Sequence, residues 1–168
     1  MDAGGLHLDC QSNALSDLIS DTIESFSQIV QRQQITLIGN IATGTDPVFM
    51  DAQQIGRVLN NLVSNAIRHT PAGGQVSIRA FRDSSNVVVE VEDNGEGIRP
   101  EDLPNVFERF FRGEKSRNRT TGGAGLGLAI ARGIIEAHKG SITVSSLVDK
   151  GTRFRFLLPV PPANDRGY

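Results

Sequence analysis

There is no tryptophan in this 168-residue chain, and only one tyrosine and one cysteine. The lone Cys10 rules out an internal disulfide and fits a reducing compartment. Aromatic side chains make up 5% of the residues, too few for the stacking platform on which single-strand binders hold bases. Neither sign of charge dominates: 17 basic residues face 19 acidic ones, a net charge of −2. That balance argues against nucleic acid or direct membrane contact as the chain's main business. No apolar run approaches the roughly 20 residues that a membrane helix needs. The N-terminus has neither the charged nor the apolar region of a signal peptide. These absences leave a soluble, cytoplasmic domain long enough for one core. Residues 1–12 read as a loose, polar linker remnant, 13–160 as the domain and 161–168 as a polar tail.

Periodicity supplies the elements. Leu15, Leu18, Ile19, Ile23, Phe26, Ile29 and Val30 recur at helical spacing and predict one amphipathic helix over about 13–33. Ile35, Leu37 and Ile41 suggest a strand, and Val48 to Met50 a short one. Asp51 stands where an N-cap belongs, before a second helix running to about His69. Alternation at Val76, Ile78 and Ala80, and again from Val87 to Glu92, predicts two further strands. A third helix is expected over about 125–138, stopped by Gly140. Strands over 142–147 and 152–158 close the series. The pattern is an α+β fold: a two-layer α/β sandwich whose mixed, mostly antiparallel sheet is covered on one face by three helices. Val88, Glu90 and Glu92 are expected on an exposed sheet face, since covering on one side only produces such alternation.

The run from Val87 to Ile98 carries the first chemical signal. Strand side chains alternate, so Asp93 ends the apolar face made by Val87, Val89 and Val91. A carboxylate at the rim of an apolar face is costly unless something hydrogen-bonds to it. Gly95 and Gly97 follow, where the backbone can bend sharply or let a ligand approach. Asp-Asn-Gly is also an ordinary turn signal, and these residues alone leave both readings open.

On the second helix Asn61, Asn65 and Arg68 fall at i, i+4 and i+7, on one line. Amide oxygens suit Mg²⁺, and a guanidinium suits phosphate; a plain wet face is the alternative. Gly122-Gly-Ala-Gly-Leu-Gly127 runs into a helix start, a ready anion site or else a glycine hinge. Between them, Phe107-Glu-Arg-Phe-Phe-Arg112 opens a loop with five basic and two acidic residues from 108 to 119. A charge run of that kind is compatible with phosphate binding or with simple solvation.

Taken in order, Asn61-Leu-Val-Ser-Asn65-Ala-Ile-Arg68-His69, Asp93-Asn-Gly95-Glu-Gly97, Val106-Phe107-Glu-Arg-Phe-Phe-Arg112 and Gly123-Ala-Gly125-Leu-Gly127-Leu128 resemble the four nucleotide-binding boxes of sensor histidine kinases. Ala137-His138-Lys-Gly140 and Gly151-Thr152-Arg-Phe154 add to the agreement, and the resemblance covers roughly residues 13 to 160. It implies ATP and Mg²⁺ as cofactors, with Asn61 and Asn65 at the metal. Asp93 would accept a hydrogen bond from the adenine amino group, in a pocket shaped by Gly95, Gly97, Ile98 and Phe107. His69 would lie near the base or ribose and Arg68 at phosphate. Arg112 would reach the γ-phosphate from a lid, and Gly123, Ala124, Gly125, Leu126, Gly127 and Leu128 would border the phosphates. Ala124 departs from the polar residue such kinases often carry there.

The resemblance assigns catalytic roles to Asn61 and Arg112. Related ATPases place a glutamate at the position of Asn61, where it activates water. An amide cannot act as a general base, so hydrolysis should be poor. The implied partners are a phosphoacceptor histidine hairpin and a response regulator receiver domain. His7 and His138 lack an acceptor's sequence context, His138 sitting instead at a helix end. An anti-sigma-type serine kinase, or an ATPase or nucleotide sensor on the same pocket, is the alternative, and membrane attachment of a longer parent chain is left open.

Overall fold

The computed structural model describes residues 6–108 and 127–161. In chain order the elements are β1 (Gln11–Asn13), α1 (Leu15–Ser25), α2 (Ser27–Gln33), β2 (Thr36–Ile41), β3 (Val48–Met50), α3 (Ala52–Arg68), β4 (Gln75–Arg82), β5 (Asn86–Asp93), α4 (Gly127–Ala137), β6 (Ser141–Leu147) and β7 (Gly151–Pro159). A 3-10 turn, Leu103–Asn105, lies between β5 and α4.

The main sheet has the order β2-β4-β5-β7-β6, with β2 and β4 parallel and every other pair antiparallel. Helices α1 and α2 pack on β2, α3 on β4 and β5, and α4 on β6 and β7. The alternation of β5 decides which side they cover. Val87, Val89 and Val91 are buried in the core against the stripe Ile55, Val58, Leu59, Leu62, Val63, Ala66 and Ile67 of α3. Burying a side chain of this size contributes about 1.5–3 kcal/mol, so this seam fixes the register of α3 on the sheet. The two-layer, mostly antiparallel α+β sandwich expected from the sequence is the observed architecture. Asp51 caps α3 as expected, its Oδ1 accepting from the Gln54 amide at 3.2 Å.

Three features differ from the expectations. The first predicted helix is two, broken at Phe26, whose φ of −99° and ψ of 4° leave the helical region. Apolar spacing continues across the break, so periodicity alone could not show it. Gln11–Asn13, placed partly in the linker, form a strand paired antiparallel with β3, and the Asp9 amide donates to Asp51 Oδ2 at 2.8 Å. The third difference corrects the exposed face of β5. Val88 and Glu90 are each 2% exposed, although Val88 stays outside the core cluster beneath the helices. Cross-strand neighbours bury them. Phe81 and Leu157 flank Val88, while Arg79 and Arg155 flank Glu90 and hold its carboxylate at 3.1 and 2.8 Å. A covering helix is not needed when long arginine stems lie along the sheet.

Candidate functional site

The C-terminal end of β5 places Asp93 on the helix-side face, 6% exposed, and paired in register with Thr152 of β7. Its Oδ1 accepts from the Gly95 amide at 2.9 Å, so the turn after the strand folds back on its own carboxylate. Burial pushes the Asp93 carboxyl above its ordinary value. The Gly95 amide, the His69 ring and the Thr152 amide pull the other way without cancelling the rise, and Glu92 adds slightly to it. A carboxylate held in this state is a strong acceptor for a donor that arrives already desolvated.

Backbone packing keeps this corner closed. A Cβ on Gly95 would lie 2.1 Å from the His69 carbonyl oxygen, and one on Gly97 would lie 2.3 Å from that of Leu147. Gly97 also has a φ of +76°. The end of α3, the turn after β5 and the β6–β7 turn are thereby stacked backbone on backbone. His69 Nδ1 is 2.9 Å from Glu96 Oε1, and the Ile98 amide donates to Ser146 Oγ at 2.7 Å. Phe107 sits edge-on to Phe154, with ring centroids 5.9 Å apart. A groove of about 400 Å³ opens beside this corner between Arg68 and His69 on one side and Asn94, Glu96 and Asp149 on the other. Asp93 and Asn61 do not line it, so it borders the corner without being its floor.

Asn61, Asn65, Arg68 and His69 follow one another along α3 and its C-terminal end, so the helix joins this corner to a second region. There Asn61 Nδ2 donates to the Gly127 carbonyl oxygen at 3.0 Å, which sets the start of α4 against the middle of α3. Asn65 Oδ1 accepts from Arg68 Nη2 at 3.3 Å. With Nδ2 of Asn61 donating, Oδ1 is the amide atom able to coordinate a cation, and a carbonyl oxygen such as Asn65 Oδ1 has a second lone pair. Among the described residues no three His, Cys, Asp or Glu side chains gather as a metal cluster. Neutral amides alone hold a hard divalent ion weakly; they fit Mg²⁺ only when it arrives with phosphate oxygens and waters.

Of the expected site residues, the structure places Asn61, Asn65, Arg68, His69, Asp93, Gly95, Gly97, Ile98, Phe107, Gly127 and Leu128. Leu128 and Ile98 are partly buried against the core. Arg112, Gly123, Ala124, Gly125 and Leu126 lie outside the described residues. As site residues, sequence reasoning missed Thr152, whose backbone amide donates to the Asp93 carboxylate, and Ser146, whose hydroxyl accepts from the Ile98 amide; the two hydroxyls are 3.0 Å apart. The only signal for Thr152 was its place after Gly151, and Ser146 had none. His138, expected to be structural, is buried, with Nδ1 2.9 Å from the Ile134 carbonyl oxygen.

Residues 50–162 match the family described as histidine kinase-, DNA gyrase B- and HSP90-like ATPase. The sensor histidine kinase RppB of Synechocystis is 40% identical over 146 residues, which are 87% of this chain and 32% of that one. SenX3 of Mycobacterium tuberculosis gives 42% identity and 36% of its length, so the chain spans about a third of the curated relatives it matches. Among solved structures, the catalytic domain of histidine kinase ThkA superposes with a TM-score of 0.80 at 30% identity, covering 92% of this chain and all of that one. ShkA, solved at full length with AMPPNP, gives a TM-score of 0.85 at 25% identity, covering 96% of this chain and 33% of that one.

Proposed function

The chain belongs to the family of histidine kinase-, DNA gyrase B- and HSP90-like ATPases, and from that premise we propose that it binds ATP with Mg²⁺ and donates the γ-phosphoryl group to a histidine on a separate hairpin. The phosphoryl group would then pass to a response regulator receiver domain. The observation that carries this reading is the pairing of a buried Asp93 carboxylate near one end of α3, desolvated beyond what its hydrogen bonds offset, with Asn61 and Asn65 further along that helix and the start of α4 against Asn61. That arrangement has an acceptor for an adenine amino group at one end and oxygen ligands beside a helix N-terminus at the other.

Each residue's part follows from its chemistry. Asp93 accepts the base's exocyclic N–H, and the stacked turns around Gly95 and Gly97 exclude water from it. His69, oriented by Glu96, lies beside base or ribose. Arg68 pairs with phosphate while its partner Asn65 and Asn61 turn amide oxygens toward the metal. Bound Mg²⁺ would neutralise charge on the β- and γ-phosphates, which is most of what phosphoryl transfer asks of a site. The amides at the start of α4 favour negative charge there. Transfer moves the phosphoryl group in line from its bridging oxygen to the lone-pair nitrogen of a neutral imidazole; a P–O bond breaks, a P–N bond forms and ADP leaves. Arg112, at the γ-phosphate, belongs to the same proposal. Asn61 can neither accept a proton from water nor polarise it as a carboxylate would, which supports transfer over hydrolysis.

ThkA has been solved with the response regulator TrrA, which supports the relay step here. Among the described residues no helix is long and apolar enough to cross a membrane. The test is twofold. The purified chain should bind ATP·Mg²⁺ in calorimetry and hydrolyse it slowly. Mixed with a separately produced acceptor hairpin, it should move γ-phosphate label onto a histidine, recognised by an acid-labile, base-stable bond. Label on serine would favour the anti-sigma type, and no nucleotide affinity would end the reading.

A further inference from the structure

His138 is a buried imidazole that the proposed chemistry does not use, and its two nitrogens serve two different elements. Nδ1 is 2.9 Å from the Ile134 carbonyl oxygen of its own helix. Nε2 accepts from the backbone amide of Asp51 at 3.1 Å, across 87 residues of sequence, in a bond buried from solvent. An N–H donating to Nε2 assigns the ring hydrogen to Nδ1, which donates to Ile134. Ending α4 would need only the first bond. The second removes an otherwise orphaned buried donor and ties the end of α4 to the start of α3.

That tie has a counterpart. Asn61 of α3 binds the carbonyl of Gly127 at the opposite end of α4. The spans agree: ten residues from Asp51 to Asn61 rise about 15 Å, and eleven from Gly127 to His138 about 16 Å. Helix α4 is therefore laced antiparallel along the N-terminal half of α3, with a tie at each of its own ends. Asp51 is itself anchored, since its carboxylate accepts from Gln54 at 3.2 Å and Asp9 at 2.8 Å. Small and β-branched side chains between the ties, Ala131 and Ile134 on α4 and Ile55 and Val58 on α3, share one core cluster and would tolerate sliding better than two hydrogen bonds do.

We propose that His138 is a positioning residue for the phosphate end of the site: by fixing α4 lengthwise on α3 it sets the first turn of α4 relative to Asn61 and Asn65. The inference rests on the ATP·Mg²⁺ reading. The test compares two ligands on the 168-residue chain. ATP·Mg²⁺ uses both ends of the site, whereas adenosine uses only the Asp93 end. His138→Phe keeps a ring and removes both nitrogens. It should weaken ATP·Mg²⁺ roughly tenfold or more, the order expected from misplacing contacts by a fraction of a helical turn, while adenosine titrated by NMR stays within about twofold. His138→Gln, which restores an acceptor toward the Asp51 amide, should recover most of the loss. Should the phenylalanine variant fail to fold, His138→Asn carries the same comparison, because its short amide reaches Ile134 but not Asp51. Equal losses for both ligands, no loss for either, or failure of glutamine to rescue would overturn the proposal. Wild-type chain that binds adenosine but not ATP·Mg²⁺ would overturn it too, and binding of neither would remove the nucleotide reading beneath it.

Discussion

Replacing Asp93 by asparagine should move stability and affinity in opposite directions. The carboxyl is 6% exposed and its protonation midpoint is raised, chiefly by burial. The folded state therefore binds the proton more readily than the unfolded one. Stability contributed by this group is greatest below the unfolded carboxylate range and falls as pH rises through the higher folded value. At neutral pH the ionised carboxylate is held at a cost. Asparagine is isosteric, keeps an oxygen for the Gly95 amide and carries no charge. Asp93→Asn should melt higher than wild type at pH 7.5, and the gain should shrink as acid protonates the wild-type carboxyl. Affinity responds otherwise. A hydrogen bond to a charged acceptor contributes about 1.5–3 kcal/mol, and the new amide turns its N–H toward the adenine N–H once its oxygen serves Gly95. ATP·Mg²⁺ affinity should therefore fall about 10- to 150-fold. Melting curves from pH 4 to 8 and calorimetry at pH 7.5 check both halves. A variant less stable than wild type at pH 7.5 would refute the burial argument, and unchanged affinity would take Asp93 out of the base site.

Other substitutions probe separate parts. Gly151 has a φ of +128°, and a Cβ there would stand 2.0 Å from the Asp93 carbonyl oxygen. Gly151→Ala should cost on the order of 1–3 kcal/mol in urea unfolding, and an unshifted midpoint would contradict the stacked-turn geometry. Asn65→Ala should abolish the Mg²⁺ dependence of ATP binding with little effect on melting; persistence of that dependence would remove Asn65 from the metal. Glu90, 2% exposed beneath Arg79 and Arg155, should cost about 1–2 kcal/mol when replaced by Gln, since two half-exposed guanidinium groups lose a charged acceptor. Denaturant midpoints equal to wild type would show that solvent already satisfies both arginines.

The sequence made legible whatever depends on neighbours in the chain. Alternation at Val87, Val89 and Val91 announced β5 and the face that Asp93 ends, and Asp51 announced the start of α3. The burial of Val88 and Glu90 was not legible, because it comes from Phe81, Arg79, Leu157 and Arg155 on adjacent strands. Periodicity counts residues along one strand and is silent on what lies across it. β1 escaped notice for the same reason: Gln11–Asn13 have no apolar pattern, and what holds them is pairing with β3 and the reach of Asp51. At the site, Asn61, Asn65 and Arg68 were visible as a line on one helix. The contacts of Asn61 with Gly127, and of His138 with Asp51, join residues 66 and 87 positions apart. No local rule reports such separations.

The two ends of the site are held by different kinds of contact, and that difference predicts how each responds to change. Around Asp93 three turns meet backbone to backbone at Gly95, Gly97 and Gly151, where even a methyl group has no room. Backbone packing of this sort moves only if the sheet moves, so substitutions there register first as lost stability. Between α3 and α4, by contrast, the described ties are two side-chain hydrogen bonds over an apolar seam. An ordinary bond of this kind contributes about 0.5–1.5 kcal/mol net, and removing the His138 partner costs about 1–3 kcal/mol because the buried Asp51 amide is left unpaired; either loss is enough to shift the lengthwise position of one helix on the other. Under the proposed reading, the base end is a fixed corner and the phosphate end depends on two side-chain contacts between helices. Variants at Gly151 should therefore fail in unfolding experiments before they fail in binding, and variants at the half-buried Asn61 should fail in the reverse order.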